Sequence, residues 1–281
     1  MFSQNRCTVF LIAIMLAFSQ AHASAPVEKD RIVNVGEWMF GASLGVGAFA
    51  NPLHYEEDIP LYILPDIRYY GEKFSLENLN LSYALIEKPN WVVEVIGQQN
   101  IDGIYFPGNG RRAIAAMSGS ALVAPFGPDG DIVSIPQKPI HRSLSYLAGL
   151  EVRRYGTIDW LASIAHDISN VHHGYEVNLR AQYGFSLYNL LGEVEIGAVY
   201  KSDKLNNYYY SVEHTIVAAN LYQAAAGTNV NASITLSYPL AETWYLVSAL
   251  KYEHLSSQIT DSPMVQDDNT LAYFTGVKYI Y

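Results

Sequence analysis

Beyond residue 35 the chain alternates between apolar positions and small or polar ones. Trp38, Phe40, Ala42, Leu44, Val46 and Ala48 form one stripe, and Gly41, Ser43, Gly45 and Gly47 lie between them. A period of two places such stripes on opposite faces of a β-strand. The cleanest instance sets Tyr175, Val177, Leu179, Ala181, Tyr183, Phe185 and Leu187 against Glu176, Asn178, Arg180, Gln182, Gly184 and Ser186. It is long for a strand of a soluble protein and suits a tilted strand crossing a bilayer. Further alternating segments begin at Trp91, Leu144, Val194, Ala232 and Leu271. Trp244 to His254 is less regular, because Ser248 breaks its apolar face. No apolar run beyond residue 35 reaches the roughly 18 residues that a transmembrane helix needs.

Alternation does not say which face meets water. A soluble sandwich turns its apolar stripe inward, whereas a membrane barrel turns it out to lipid and keeps the polar stripe inside. The ends of the apolar stripes favour the barrel. Trp38, Trp91, Tyr146, Trp160, Tyr200, Tyr238 and Trp244 stand there, where a bilayer has its interfaces. Composition agrees, with 22 Tyr against 10 Phe and 4 Trp, a mean hydropathy near zero and only 16% charged residues. The formal charge of −10 excludes a nucleic-acid binder that works by charge. One cysteine in 281 residues excludes a disulfide scaffold and a cysteine zinc site. Residues 1–25 read as a secretory signal peptide, with Arg6, an apolar stretch from Val9 to Phe18, and small residues suiting cleavage after Ala23 or Ala25. The remainder, 26–281, reads as a single barrel domain of the bacterial outer membrane.

Connections set the strand count. Tight turns are predicted at 87–90, 155–157, 189–190 and 240–242, and long ones at 50–60, 102–142, 168–173, 202–228 and 256–269. Short turns on the periplasmic side and long loops outside give five hairpins and about ten strands in an antiparallel up-and-down barrel. Leu61 to Ile86 is too long for one crossing. Tyr70-Gly71-Glu72-Lys73 could turn the chain within it, and twelve strands is the alternative.

An ordered set of short motifs accompanies this pattern. Asn51-Pro52 and Tyr55-Glu56 follow the first strand, then Leu64-Pro65 and Tyr69-Tyr70-Gly71, the Trp91 strand, and Arg111-Arg112 in the long loop. Asn207-Tyr208-Tyr209-Tyr210, Trp244 and Ser262-Pro263-Met264-Val265 precede a tyrosine-rich last strand. In this order and spacing the sequence resembles the MipA/OmpV family of outer-membrane proteins across almost the whole mature chain. It departs at Ser211, where a glycine is expected after the tyrosines, and at the terminal Tyr281, where the family pattern has Phe. The resemblance implies an adaptor, in the manner of an MltA-interacting protein, between a murein hydrolase and a murein synthase. A terminal aromatic on an alternating strand also resembles the signal read by the outer-membrane assembly machinery, so Tyr281 is the expected assembly signal. Lipid, that machinery and murein-processing enzymes are the expected partners.

Candidate chemistry is sparse. The polar stripes collect Glu94, Glu151, Arg153, Glu176, Arg180, Glu193 and Glu195. Such charges are expected to form a paired network that fills a narrow lumen, since enclosed charges persist when paired. A cation-favouring narrow pore is the alternative, and surface adhesion through the outer loops is another. His141-Arg142-Ser143 and His166-Asp167 carry hydrolase residue types without a Gly-x-Ser-x-Gly motif, so no catalytic set is read. His172-His173 lacks a third ligand beside it and reads as a turn between strands, so no metal site or cofactor is read. Tyr208-Tyr209-Tyr210 suits interfacial aromatics or packing that closes the barrel mouth. Residues 102–142, with Arg111, Arg112 and the apolar stretch Ala113 to Phe126, are the expected lid.

Overall fold

A computed structural model describes residues 35–54, 56–106, 140–212 and 222–281. Residues 1–25, the expected signal peptide, Arg111, Arg112 and the apolar stretch of the expected lid lie outside the described residues.

Twelve antiparallel strands close into one barrel in chain order, the last hydrogen-bonded to the first. They are β1 (Glu37–Phe49), β2 (Ile59–Tyr70), β3 (Phe74–Glu77), β4 (Asn80–Lys88), β5 (Trp91–Gln99) and β6 (Tyr146–Arg154), followed by β7 (Asp159–Asp167), β8 (Tyr175–Leu187), β9 (Leu190–Lys201), β10 (Gly227–Pro239), β11 (Trp244–His254) and β12 (Asn269–Ile280). The seam between β1 and β12 runs from Gly41 opposite Ile280 to Phe49 opposite Ala272. Closure leaves no free sheet edge at the chain ends, as a strand in hydrocarbon requires. Among the described residues no helix is long and apolar enough to cross a membrane.

The faces are inverted relative to a soluble protein. Leu179 is 57% exposed and Ile196 60%, whereas Glu151 is 4% exposed and Asn229 is fully buried. An exposed apolar band around an enclosed polar interior is the polarity of a membrane barrel. All four tryptophans open strands at the short-turn end. Trp38 lies against Tyr69 and Trp244 against Tyr279, each pair with ring centroids 4.9 Å apart. Tyr175 and Tyr200, 6.1 Å apart, stand at the long-loop end. Ser248, which breaks the stripe of β11, meets Thr275 of β12 hydroxyl to hydroxyl at 3.0 Å. Each satisfies the other on the outer face.

The strand count is the alternative one. The added hairpin is β3–β4, entered by the turn after Tyr70. β3 has four residues, a rise of about 13 Å, too short to cross an apolar band of about 25 Å. It pairs with β2 only from Arg68 to Tyr70. Asn78, at φ 55°, turns the chain between β3 and β4 and closes the ladder. Its N–H donates to the Ile67 carbonyl at 2.7 Å, and its Oδ1 accepts from the Ile67 N–H at 3.0 Å. Above this point β2 continues to Ile59 with no strand on that side among the described residues. Pro65 lies two residues above Ile67, so its nitrogen faces the same side. Proline there withholds an N–H that would otherwise be unpaired. On the far flank Gly97 lets the Tyr146 ring lie over the wall, since a Cβ there would stand 2.9 Å from the tyrosine oxygen. The Tyr146 hydroxyl donates to the Leu79 carbonyl at 2.8 Å and ties down the hairpin tip.

Candidate functional site

The long loops converge over one mouth of the barrel. The β9–β10 connection forms helix α1 (Asp203–Tyr210), and the β11–β12 connection forms the single turn α2 (Ser257–Thr260). Residues Asp102–Tyr105 form a 3-10 turn after β5. Leu205, Tyr209, Tyr210 and Ile259 are fully buried there, packed with Leu53, Tyr105, Phe106, Leu255 and Val265. Four connections thus build a small hydrophobic core across the mouth. The tyrosine run at 208–210 supplies its centre, the second of the two arrangements the sequence left open for it. Both described ends of the 102–142 connection enter this cap.

Several polar groups under the cap find specific partners. Lys201, at the top of β9, places Nζ 2.7 Å from Asp102 Oδ1, and the Tyr210 hydroxyl donates to the same oxygen at 2.5 Å. Burial raises the Asp102 pKa, but the Lys201 ammonium and hydrogen bonds from Lys201, Tyr210 and Asn100 outweigh it and hold the carboxyl below its ordinary range. Burial drives the Tyr210 hydroxyl well above the usual phenol value. His172 Nδ1 accepts from the Gly174 N–H at 2.9 Å, so Nε2 carries the proton towards Ser145 Oγ at 3.1 Å. Burial pushes the pKa of His172 down. Asp167 organises the β7–β8 loop, accepting from the N–H groups of Ser169, Val171, His172 and His173 and from the Ser169 hydroxyl.

The charges singled out from the sequence all lie on strands, at different heights of the lumen. Glu94 accepts from Ser82 at 3.0 Å, Arg153 meets Glu151 at 2.7 Å, and Arg180 faces Glu195 at 3.7 Å. Glu176 accepts from Gln98 and Asn178, and Glu193 sits opposite Gly184 and Thr235. They form separate contacts along the wall and not one cluster. Sequence reasoning missed two further groups. Asp66 binds Arg68 at 2.6 Å and Lys278 at 2.5 Å near the short-turn end. Lys278 occupies the polar stripe of β12, so the same alternation could have found it. The Asp102–Lys201 pair joins residues 99 positions apart, and no local signal predicts it. Tyr281 ends the chain at the short-turn rim, its N–H donating to the Phe40 carbonyl at 2.8 Å and its ring exposed. His166 faces outward on β7, away from Asp167, whose carboxylate is engaged by its loop. Ser145 Oγ does lie 3.1 Å from His172 Nε2 and His172 Nδ1 lies 4.0 Å from Asp167 Oδ2, but that Nδ1 accepts from the Gly174 N–H and so does not donate to the carboxylate. Among the described residues no three His, Cys, Asp or Glu side chains come together as a metal-holding group.

Inverted polarity, closure and two aromatic girdles define an outer-membrane β-barrel with a capped mouth. Residues 44–281 match the family model of the MltA-interacting protein MipA, and the chain belongs to that family. Its relatives are outer-membrane proteins. Omp26La of Vibrio anguillarum is 22% identical, the match covering 98% of this chain and 99% of that protein. OmpV of Vibrio cholerae is 23% identical over the same shares. The MltA-interacting protein of Escherichia coli K12 is 24% identical, over 86% of this chain and 90% of that protein.

Proposed function

We propose that this barrel is a non-enzymatic scaffold of the cell envelope that holds murein-processing enzymes at the outer membrane. The observation that carries the reading is the cap, whose fully buried Tyr209, Tyr210, Leu205 and Ile259 stand across the mouth where a channel needs open space. The Glu151–Arg153 and Glu195–Arg180 contacts inside the lumen support it further, because enclosed charges persist when paired. The partner class is taken from the relative called an MltA-interacting protein. The proposed route to the membrane begins with removal of residues 1–25 and uses Tyr281 as the assembly signal.

The test is affinity capture of the full-length tagged barrel from detergent-solubilised envelopes. Enrichment of a murein hydrolase and a murein synthase is expected, and recovery without either overturns the scaffold role. Planar-bilayer recording separates the pore reading, for which the acidic lumen residues are the supporting feature. The purified barrel is expected to be silent, and steady cation-selective conductance would replace the scaffold with a channel.

A further inference from the structure

A cleft of about 440 Å³ opens at the capped mouth, between the β7–β8 loop and α1. We propose that it binds an anionic sugar, a hexose carrying a phosphate or carboxylate, at the outer surface of the barrel. Its volume lies within the range of small-molecule sites and accommodates one or two sugar rings.

Charge is the first argument. The chain as a whole is acidic at −10, yet Arg142 and Lys204 both line this cleft and Asp203 is its one carboxylate. Lys204 makes no ion pair among the described residues. Asp203 Oδ1 accepts from the Lys204 backbone N–H at 2.8 Å, a local contact at the start of α1. The two cations therefore present a positive site on a negative protein, and such a site selects an anion.

Shape and hydrogen bonding narrow the class. Tyr208 forms a fixed aromatic wall. Its hydroxyl accepts from the Ser143 N–H at 2.9 Å, the Arg142 guanidinium stands 5.3 Å from the ring centroid, and Tyr209 meets it edge-on at 4.9 Å. Asn207 and Gln223 bring neutral amides to the same cleft. With Arg142 held over the Tyr208 ring, the guanidinium and Lys204 suit one charged substituent, and the amides suit the hydroxyls of the sugar that carries it.

The site is also rigid in advance of any ligand. His173, another lining residue, sits in the left-handed region at φ 54°, as does Asn170 at φ 62°. A non-glycine residue held there costs free energy and persists only where its surroundings over-determine it. The Asp167 carboxylate does so by accepting from the N–H groups of Ser169, Val171, His172 and His173 and from the Ser169 hydroxyl. The cleft lies beyond the outer tyrosine girdle, so the charged sugar could come from the lipopolysaccharide headgroups of the surrounding leaflet or from solution.

The full-length barrel in a zwitterionic detergent without sugar is titrated calorimetrically with glucose 6-phosphate, glucuronate, glucose and inorganic phosphate. Both sugar anions are expected to bind at least tenfold more tightly than glucose or phosphate alone. Lys204→Glu is expected to lose that preference and Lys204→Arg to keep it, with unchanged heat-modifiable migration on gels as the check of folding. Equal binding of glucose and its phosphate, an unaltered preference in Lys204→Glu, or no binding of any probe overturns the proposal. Competition by lipopolysaccharide against bound glucose 6-phosphate then assigns the source. Displacement places the ligand in the leaflet, and its absence places it in solution.

Discussion

Asp102 and Lys201 show what a single enclosed pair does in this barrel. Neither side chain has water to replace its partner. Lys201→Met is therefore expected to destabilise the folded barrel by about 3–5 kcal/mol, the usual consequence of stranding one charge of a buried pair. Urea unfolding in detergent measures it, and a loss below about 1 kcal/mol contradicts the assignment. The pH dependence has a defined sign. Asp102 is depressed in the fold, so its contribution is present above the ordinary carboxylate pKa and disappears as pH falls through the lower folded value. His172 is also depressed, by burial, and folds as the neutral imidazole. Opening the loop lets it take a proton. Loop stability is thus full above the ordinary histidine pKa of about 6.5 and declines as pH falls below it, levelling off beneath the folded value. Amides of 168–174 are expected to exchange faster relative to the intrinsic rate at pH 5.5 than at pH 7.5, and His172→Gln is expected to abolish the difference. Equal protection at both pH values refutes the prediction. At this scale the sequence was only half legible. Alternation assigned Glu151, Arg153 and Arg180 to the polar stripe, but Asp102 gained its partner only through closure of the whole cylinder.

Strands were legible where their period was uninterrupted. β8 carries its stripe from Tyr175 to Leu187, the whole length of the strand. β3 was the hard case. Four residues give a two-residue period too little length to register, and the signal that remained was the turn at Tyr70-Gly71-Glu72-Lys73. The hairpin it introduces is held at its tip by Asn78 and Tyr146. Asn78→Ala loses the acceptor for the Ile67 N–H and forces a Cβ residue less suited to φ 55° into the turn. A destabilisation of about 1–3 kcal/mol is expected, with local exchange at Ile67 rising more than at β8 amides. Uniform exchange across both strands would mean that the hairpin is not a separate weak unit. Ser248 taught the opposite lesson. It looked like a defect in β11 until its neighbour Thr275 was placed beside it by the ladder of the next strand.

For the molecule as a whole, the two girdles fix how it sits in the bilayer. Trp38, Trp91, Trp160 and Trp244 all belong to the short-turn end, so every tryptophan reports from one interface. Lipids carrying a quencher near the headgroup are expected to quench the emission more strongly than lipids carrying it at the acyl-chain end. The reverse order would displace the membrane from this band. Fold class could be read from residue order, because membrane solvation acts on every strand alike. The cleft beside α1 could not, since it joins residues from three separate connections.

The bridge between Leu53 and Val265 spans the seam where the first and last strands meet. The His54 N–H reaches the Met264 carbonyl there, and the Gln266 N–H reaches that of Pro52. The final zipping event of biogenesis is therefore latched from above by the very loops that bury Tyr209 and Tyr210. A chain lacking its terminal hairpin would leave those rings uncovered, with apolar surface open at the rim.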